Sequence, residues 1–217
     1  MHITEPVTMA TDYLLAGLAL YWALSLIRQG IRTRQQSVRL WGYSLGMLVI
    51  AAALGGTSHG FKLYLNETLD TLLWKVTFYA TGGASFFMLL GTFRATTSGI
   101  MWRGLVLAAV LKFAAYAVWI VHHGRFIFVI MDYVPAMCVV IAFQVYEVFQ
   151  RRNKSGWWII AGIVLSFLGA GVQASGFTLH QYFNNNDLYH VLQMLATYWL
   201  FRGARLLRDA TEDFSKV

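Results

Sequence analysis

The sequence predicts an all-α integral membrane protein, a single seven-helix transmembrane bundle over residues 1–217, and three observations carry that prediction. The chain is 58% hydrophobic and 12% charged, with a mean hydropathy of +0.54, whereas a soluble domain carries about a quarter charged residues. Seven stretches come near the about 20 mostly apolar residues that a helix needs to cross the hydrocarbon core. The basic residues gather on alternate connectors, as membrane orientation requires.

The first stretch is 7–27. The segment ahead of it, M-H-I-T-E-P-V-T-M, holds no Lys or Arg, so it lacks the basic start of a signal peptide, and an uncleaved spanning helix is expected. Pro6 suits a first helical turn, and Glu5 suits the positive end of the helix dipole. Asp12 lies seven residues beyond Glu5, on the same face if the helix reaches back that far, so the two carboxylates are candidates to line one cavity. The second stretch, 40–58, closes on G-G-T-S-H-G-F, and the third runs over 71–93. The fourth and fifth, 101–121 and 126–148, each hold one intramembrane charge, Lys112 and Asp132. Counted at 1.5 Å per residue, both sit about 10–13 Å below the same surface on consecutive antiparallel helices, which predicts an ion pair. Asp12 and Lys75 lie about one to two turns below that surface and are expected to pair similarly. The sixth and seventh stretches are 157–178 and 188–207. Trp41, Tyr43, Trp102, Trp157 and Trp158 fall near stretch ends, at the depth of lipid headgroups. Trp22 and Trp199 read as core.

Arg28, Arg32, Arg34 and Arg39, then Arg94 and Arg103, then Arg151, Arg152 and Lys154, and finally Arg202, Arg205, Arg208 and Lys216 all map to one side. Only Lys62 and Arg125 map to the other. The positive-inside rule then puts the N-terminus out and the C-terminus in. The expected location is multi-pass, in a bacterial inner (plasma) membrane. The net charge of +7 is explained by these connectors, so nucleic acid is not an expected partner; membrane lipids are, with a protein partner or a second copy also open. Cys138 is the single cysteine, which excludes an internal disulfide.

The outer side has its own signature. His2, His59, His122, His123, His180 and His190 all map there, with Glu5, Glu67, Asp70 and Asp187, and with Asp12 and Asp132 deeper. Imidazoles and carboxylates together are ligands for a borderline-soft divalent metal. His180 to His190, reading H-Q-Y-F-N-N-N-D-L-Y-H, is the longest polar interruption between two apolar stretches. Each residue also has a structural role open to it: Asp187 as a helix cap, the asparagines as turn formers, the histidines as interfacial hydrogen-bonding groups.

With Ser58 and His59 closing the second stretch, Asp70 eleven residues later, and Asn186 and His190 one turn apart on the seventh, the chain resembles the CREST superfamily of seven-helix membrane hydrolases, which includes alkaline ceramidases and adiponectin-type receptors. Gly55 stands where that superfamily has its serine, and Asn186 where it has the first seventh-helix histidine. The resemblance implies a zinc site on the outer face, with His59 and His190 as ligands, and His180 is the expected third. Asp70 would act as general base and Ser58 would stabilise an oxyanion, with Asp187 or Glu5 adding a carboxylate. The implied activity is zinc-dependent hydrolysis of lipid amides or esters. The alternative is a non-catalytic seven-helix module, a structural subunit, sensor or small transporter, binding a partner or ligand at its outer face. A retinal Schiff base is rejected because 188–207 contains no lysine, and haem is disfavoured because the histidines lie at the rim.

Overall fold

The computed structural model describes residues 2–150 and 153–210. Arg151, Arg152 and Lys216, three of the residues used to orient the chain, lie outside the described residues. The described residues form seven helices and no strand: α1 (Pro6–Arg32), α2 (Gln36–Phe61), α3 (Glu67–Thr96), α4 (Gly99–His122), α5 (Phe126–Gln150), α6 (Ser155–Ser175) and α7 (Asn185–Ala204). Each contains most of one predicted stretch. Most helices outrun the apolar run, as α3 does where the Asn66 side chain accepts from Leu69 N at its start; α6 stops short of its stretch, ended by Gly176 at φ 68° in the left-handed conformation.

Helices α1 to α6 are long and apolar enough to cross a membrane. α7 is not among them, a difference from the seven spans expected. Its 20 residues suffice in length, but Asn185, Asn186, Asp187 and His190 occupy its first two turns and lower its hydropathy.

Six helices close a ring in the order α1, α2, α3, α5, α6, α7, with α7 returning to α1, while α4 packs on α3 from outside. Packing is graded along the bundle axis. The main core joins the second halves of α1, α3 and α5 to the first halves of α2 and α6 and the end of α7, through Leu26, Trp41, Met88, Met137, Ile163 and Leu200. All of these belong to the end of the bundle that carries the arginines. The histidine-bearing end is less filled, with a small aromatic cluster of Phe78, Tyr116, Ile120 and Val129 at the α3–α4–α5 junction.

α4 has few buried residues, Ala109, Tyr116 and Ile120, and two features hold it in place. Tyr116 lies flat on Gly82, where an added Cβ would stand 2.7 Å from the ring's Cδ1, and its hydroxyl donates to Phe78 O at 2.9 Å. Lys112 Nζ reaches Asp132 Oδ1 at 2.8 Å, the pair expected from their depths. Ser85 links the two, accepting from Lys112 Nζ at 2.9 Å and lying 2.7 Å from Asp132 Oδ2. Asp12 and Lys75 do not pair. Lys75 is exposed on α3 with no ion-pair partner among the described residues, and Asp12 is bound by His190 instead. Matched depth cannot by itself report which way a side chain faces.

The arginine-bearing end is fastened by the last described segment. Gln35 at the start of α2 offers no side-chain cap; Asp209 supplies one, accepting from Gln36 N at 2.8 Å and Ser37 N at 2.7 Å. Asp209 also pairs with Arg94 at 3.5 Å, while Ala210 N donates to Arg94 O at 3.0 Å and the Arg94 guanidinium donates to Ala210 O at 2.9 Å.

Removing one member of a buried ion pair leaves the other charge uncompensated, so Lys112→Met is expected to lower stability by about 2–3 kcal/mol, below the full range for such pairs because Lys112 is partly exposed. Lys112→Met combined with Asp132→Leu should recover most of that loss. Unfolding of the detergent-solubilised protein checks both, and equal losses in the single and double variants would refute the clamp.

Candidate functional site

The ring encloses a cavity of about 440 Å³, within the size range of small-molecule sites. Its wall is mostly apolar: Trp41, Leu45 and Leu48 from α2, Met88 from α3, Val129 and Met137 from α5, Phe167 from α6 and Leu200 from α7. Most polar groups lie towards the histidine-bearing end, where Asp12, His59, Gln173 and His190 line it together with Trp74, Tyr189 and Gln193. No Lys or Arg lines it among the described residues. The α2 lining runs from Trp41 to His59, about 27 Å at 1.5 Å per residue, so the space is elongated along the bundle axis. Phe126 and Ile130 on α5, and Ala170 and Ala174 on α6, line it while also being exposed on the outside of the bundle. At the other end, Gly156 brings α6 against Gln144 and Val148 of α5. The α5–α6 seam is therefore closed at the arginine end and open beside the polar groups.

Two imidazole–carboxylate pairs stand at the polar end. His190 Nε2 lies 3.2 Å from Asp12 Oδ1, with both side chains buried. An ionised Asp12 accepts at Oδ1 from a proton on Nε2. The other ring nitrogen, Nδ1, is 2.9 Å from Thr11 Oγ1, which is also 3.0 Å from Thr8 O. Both nitrogens of His190 are thus engaged. His59 Nδ1 meets Glu5 Oε2 at 3.1 Å, and its ring stands edge-on to Trp74. The close approach of α1 and α2 that aligns these groups depends on Gly56, where an added Cβ would fall 2.9 Å from Asp12 Cβ. Asp12 Oδ2 is buried and has no hydrogen-bond partner. An unsatisfied buried oxygen of this kind destabilises by about 1–3 kcal/mol in a resting fold, which marks it for a further partner.

The expected zinc triad does not assemble. His59 and His190 line the same cavity. His180 sits apart in an exposed turn closed by its own backbone bonds with Phe183, and its Nδ1 accepts from Tyr182 N at 3.2 Å. Among the described residues, no three His, Cys, Asp or Glu side chains are grouped to hold a metal ion. Ser58 and Asp70, expected as oxyanion stabiliser and base, are hydrogen-bonded to each other and do not line the cavity. Asp187 is structural. It completes a capping box with Asn184 and receives the Thr8 hydroxyl at 2.8 Å, tying α7 to α1. Asn186 accepts from Gln173 Nε2 at 2.9 Å and ties α7 to α6. Lys112 and Asp132 are likewise the structural clamp of α4.

Sequence reading missed Gln173, Trp74 and Gln193 as cavity residues, and Thr11 as a partner of His190. A signal existed: Asn186, His190, Gln193 and Thr197 recur at spacings of four, three and four, one face of a helix, and that face turns inward.

Fold and site together define a helical bundle with an elongated apolar cavity and a buried carboxylate–imidazole pair at one end. The chain belongs to a family of unknown function, DUF6962, whose model matches residues 7–209. No curated protein matches it.

Proposed function

We propose that this protein is a multi-pass membrane protein that binds a single elongated amphiphile in its central cavity, acting as a sensor, carrier or binding module for a membrane lipid. The apolar tail would occupy the space between Trp41 and Trp74, and the polar head would meet Asp12, His190 and His59. The observation that carries this reading is the unpartnered, buried Asp12 Oδ2 at the polar end of an otherwise apolar cavity, since an ionisable group inside a bundle is a functional-site signal by default. The exposed lining of the α5–α6 seam supports entry sideways from the surrounding lipid. In this reading all seven helices cross the bilayer, α7 shielded within the ring, with the N-terminus out, the C-terminus in and the seam in the outer leaflet. The bacterial inner membrane is the location expected for it.

A second reading keeps the zinc-dependent hydrolase of the CREST resemblance. It is favoured by His59, His190 and Asp12 lining one cavity end, with Ser58 next to His59 in the chain and Asp70 bonded to Ser58. It requires His190, both of whose ring nitrogens are engaged, to release one of them.

Two measurements separate these readings, and a third tests the orientation. Native mass spectrometry of the protein released from nanodiscs should show one retained lipid per chain, lost when Thr81→Trp fills the cavity; a wild type that retains none overturns the binding reading. Zinc analysis of the wild type, His59→Ala and His190→Ala addresses the second: stoichiometric zinc lost in both variants would establish it, and a metal-free, folded wild type would remove it. With Cys138→Ala as background, an impermeant maleimide applied outside intact cells should label Gln181→Cys and spare Arg32→Cys; the reverse pattern would invert the orientation.

A further inference from the structure

The polar end of the cavity also indicates which head the amphiphile carries, an inference that rests on the binding reading above. The free side of Asp12 is an acceptor: Oδ1 takes the His190 proton, and Oδ2 has no partner. His190 has no donor left for a ligand, because its Nε2 proton faces Asp12 and its Nδ1 faces Thr11. His59 directs its Nδ1 to Glu5, so Nε2 is the ring nitrogen left for a ligand. Trp41 Nε1, on the α2 lining far from Asp12, is a donor without a partner, while four donors of the remaining wall are committed. Gln173 Nε2 serves Asn186 Oδ1, Thr77 serves Leu73 O, Thr81 serves Thr77 O, and Ser44 serves Ala84 O.

Charge points the same way. The cavity has one carboxylate and no Lys or Arg in its lining among the described residues. Glu5 stands behind His59, and Asp70 behind Ser58. An anionic head would enter this field without a cation to meet it, whereas a cationic donor would satisfy the buried oxygen and be drawn by the surrounding carboxylates. We infer that the site recognises an amphiphile with an ammonium head, an N–H donor bearing positive charge on one alkyl chain, with Asp12 Oδ2 as its primary acceptor.

Gly55 supplies an internal control. An added Cβ there would lie 3.7 Å from Asp12 Oδ2 with no closer neighbour, so Gly55→Ser is accommodated. Its hydroxyl would donate to the same oxygen and compete with the ligand's head.

The experiment compares dodecylamine, dodecanol and dodecanoate, equal in chain and different in head, binding to the full chain in nanodiscs of zwitterionic lipid. Subtracting the signal of the cavity-filled Thr81→Trp variant removes partition into the bilayer. The amine is expected to bind at least about tenfold more tightly than dodecanoate, with the alcohol between, as follows from a lone carboxylate in a low-dielectric site. Asp12→Asn and Gly55→Ser should each collapse that preference to about threefold or less. Should Asp12→Asn fail to fold, the ranking in the wild type and the loss in Gly55→Ser decide the matter. Equal binding of the three, or tighter binding of dodecanoate, would overturn the ammonium assignment and leave the cavity reading intact. Retention of none of them, nor of any lipid, would overturn both.

Discussion

A charge placed inside an apolar bundle must find its partner on another helix, and that constraint organises this structure. In a bundle this apolar, close packing and polar contacts between helices are what fix their arrangement. Lys112, Ser85 and Asp132 join α4, α3 and α5. Asp12 with His190, and Thr8 with Asp187, join α1 to α7. Gln173 with Asn186 joins α7 to α6. Ring closure between α1 and α7 thus rests on polar contacts at the histidine end as well as on apolar packing at the other.

The two ends of the bundle consequently differ in kind. The main core gathers at the arginine end around Leu26, Val38, Ile159 and Ile163, and Trp41 and Leu200 of that core also line the cavity. At the histidine end the helices are held apart by hydrogen-bonded side chains, and the volume between them becomes a cavity. Asp12 sits where these regimes meet. One of its oxygens is used to close the ring and the other is left over. The same residue therefore serves the architecture and faces the empty space, which is why its second oxygen cannot be explained by packing alone.

Much of the architecture was legible in the sequence because apolar length and charge placement survive without knowledge of neighbours. All seven helices, their order, and the Lys112–Asp132 pair follow from spacing and depth. What was not legible is direction around the helix axis. Asp12 and Lys75 share a depth, yet Lys75 faces outward and Asp12 faces α7. His180 and His190 flank one connector, yet the turn at His180–Phe183 carries one outside the bundle while the other is buried. Ser58 and Asp70 were read as separate catalytic groups and instead satisfy each other. Grouping residues by depth along the bundle joins side chains that the structure separates, because a helix end offers as many outward positions as inward ones.

Asp209 carries a consequence for the life of the chain before it is folded. The first turn of α2 receives its cap from a residue 172 and 173 positions later, so no arrangement of the early helices alone can complete it. During synthesis, α1 and α2 are made while the residue that seals their connection does not yet exist. The amide groups at Gln36 and Ser37 must be met by water at the surface until the last segment arrives and displaces it. A later part of the chain thereby closes an earlier one, and the interval between them sets a period in which the half-made bundle remains open to rearrangement.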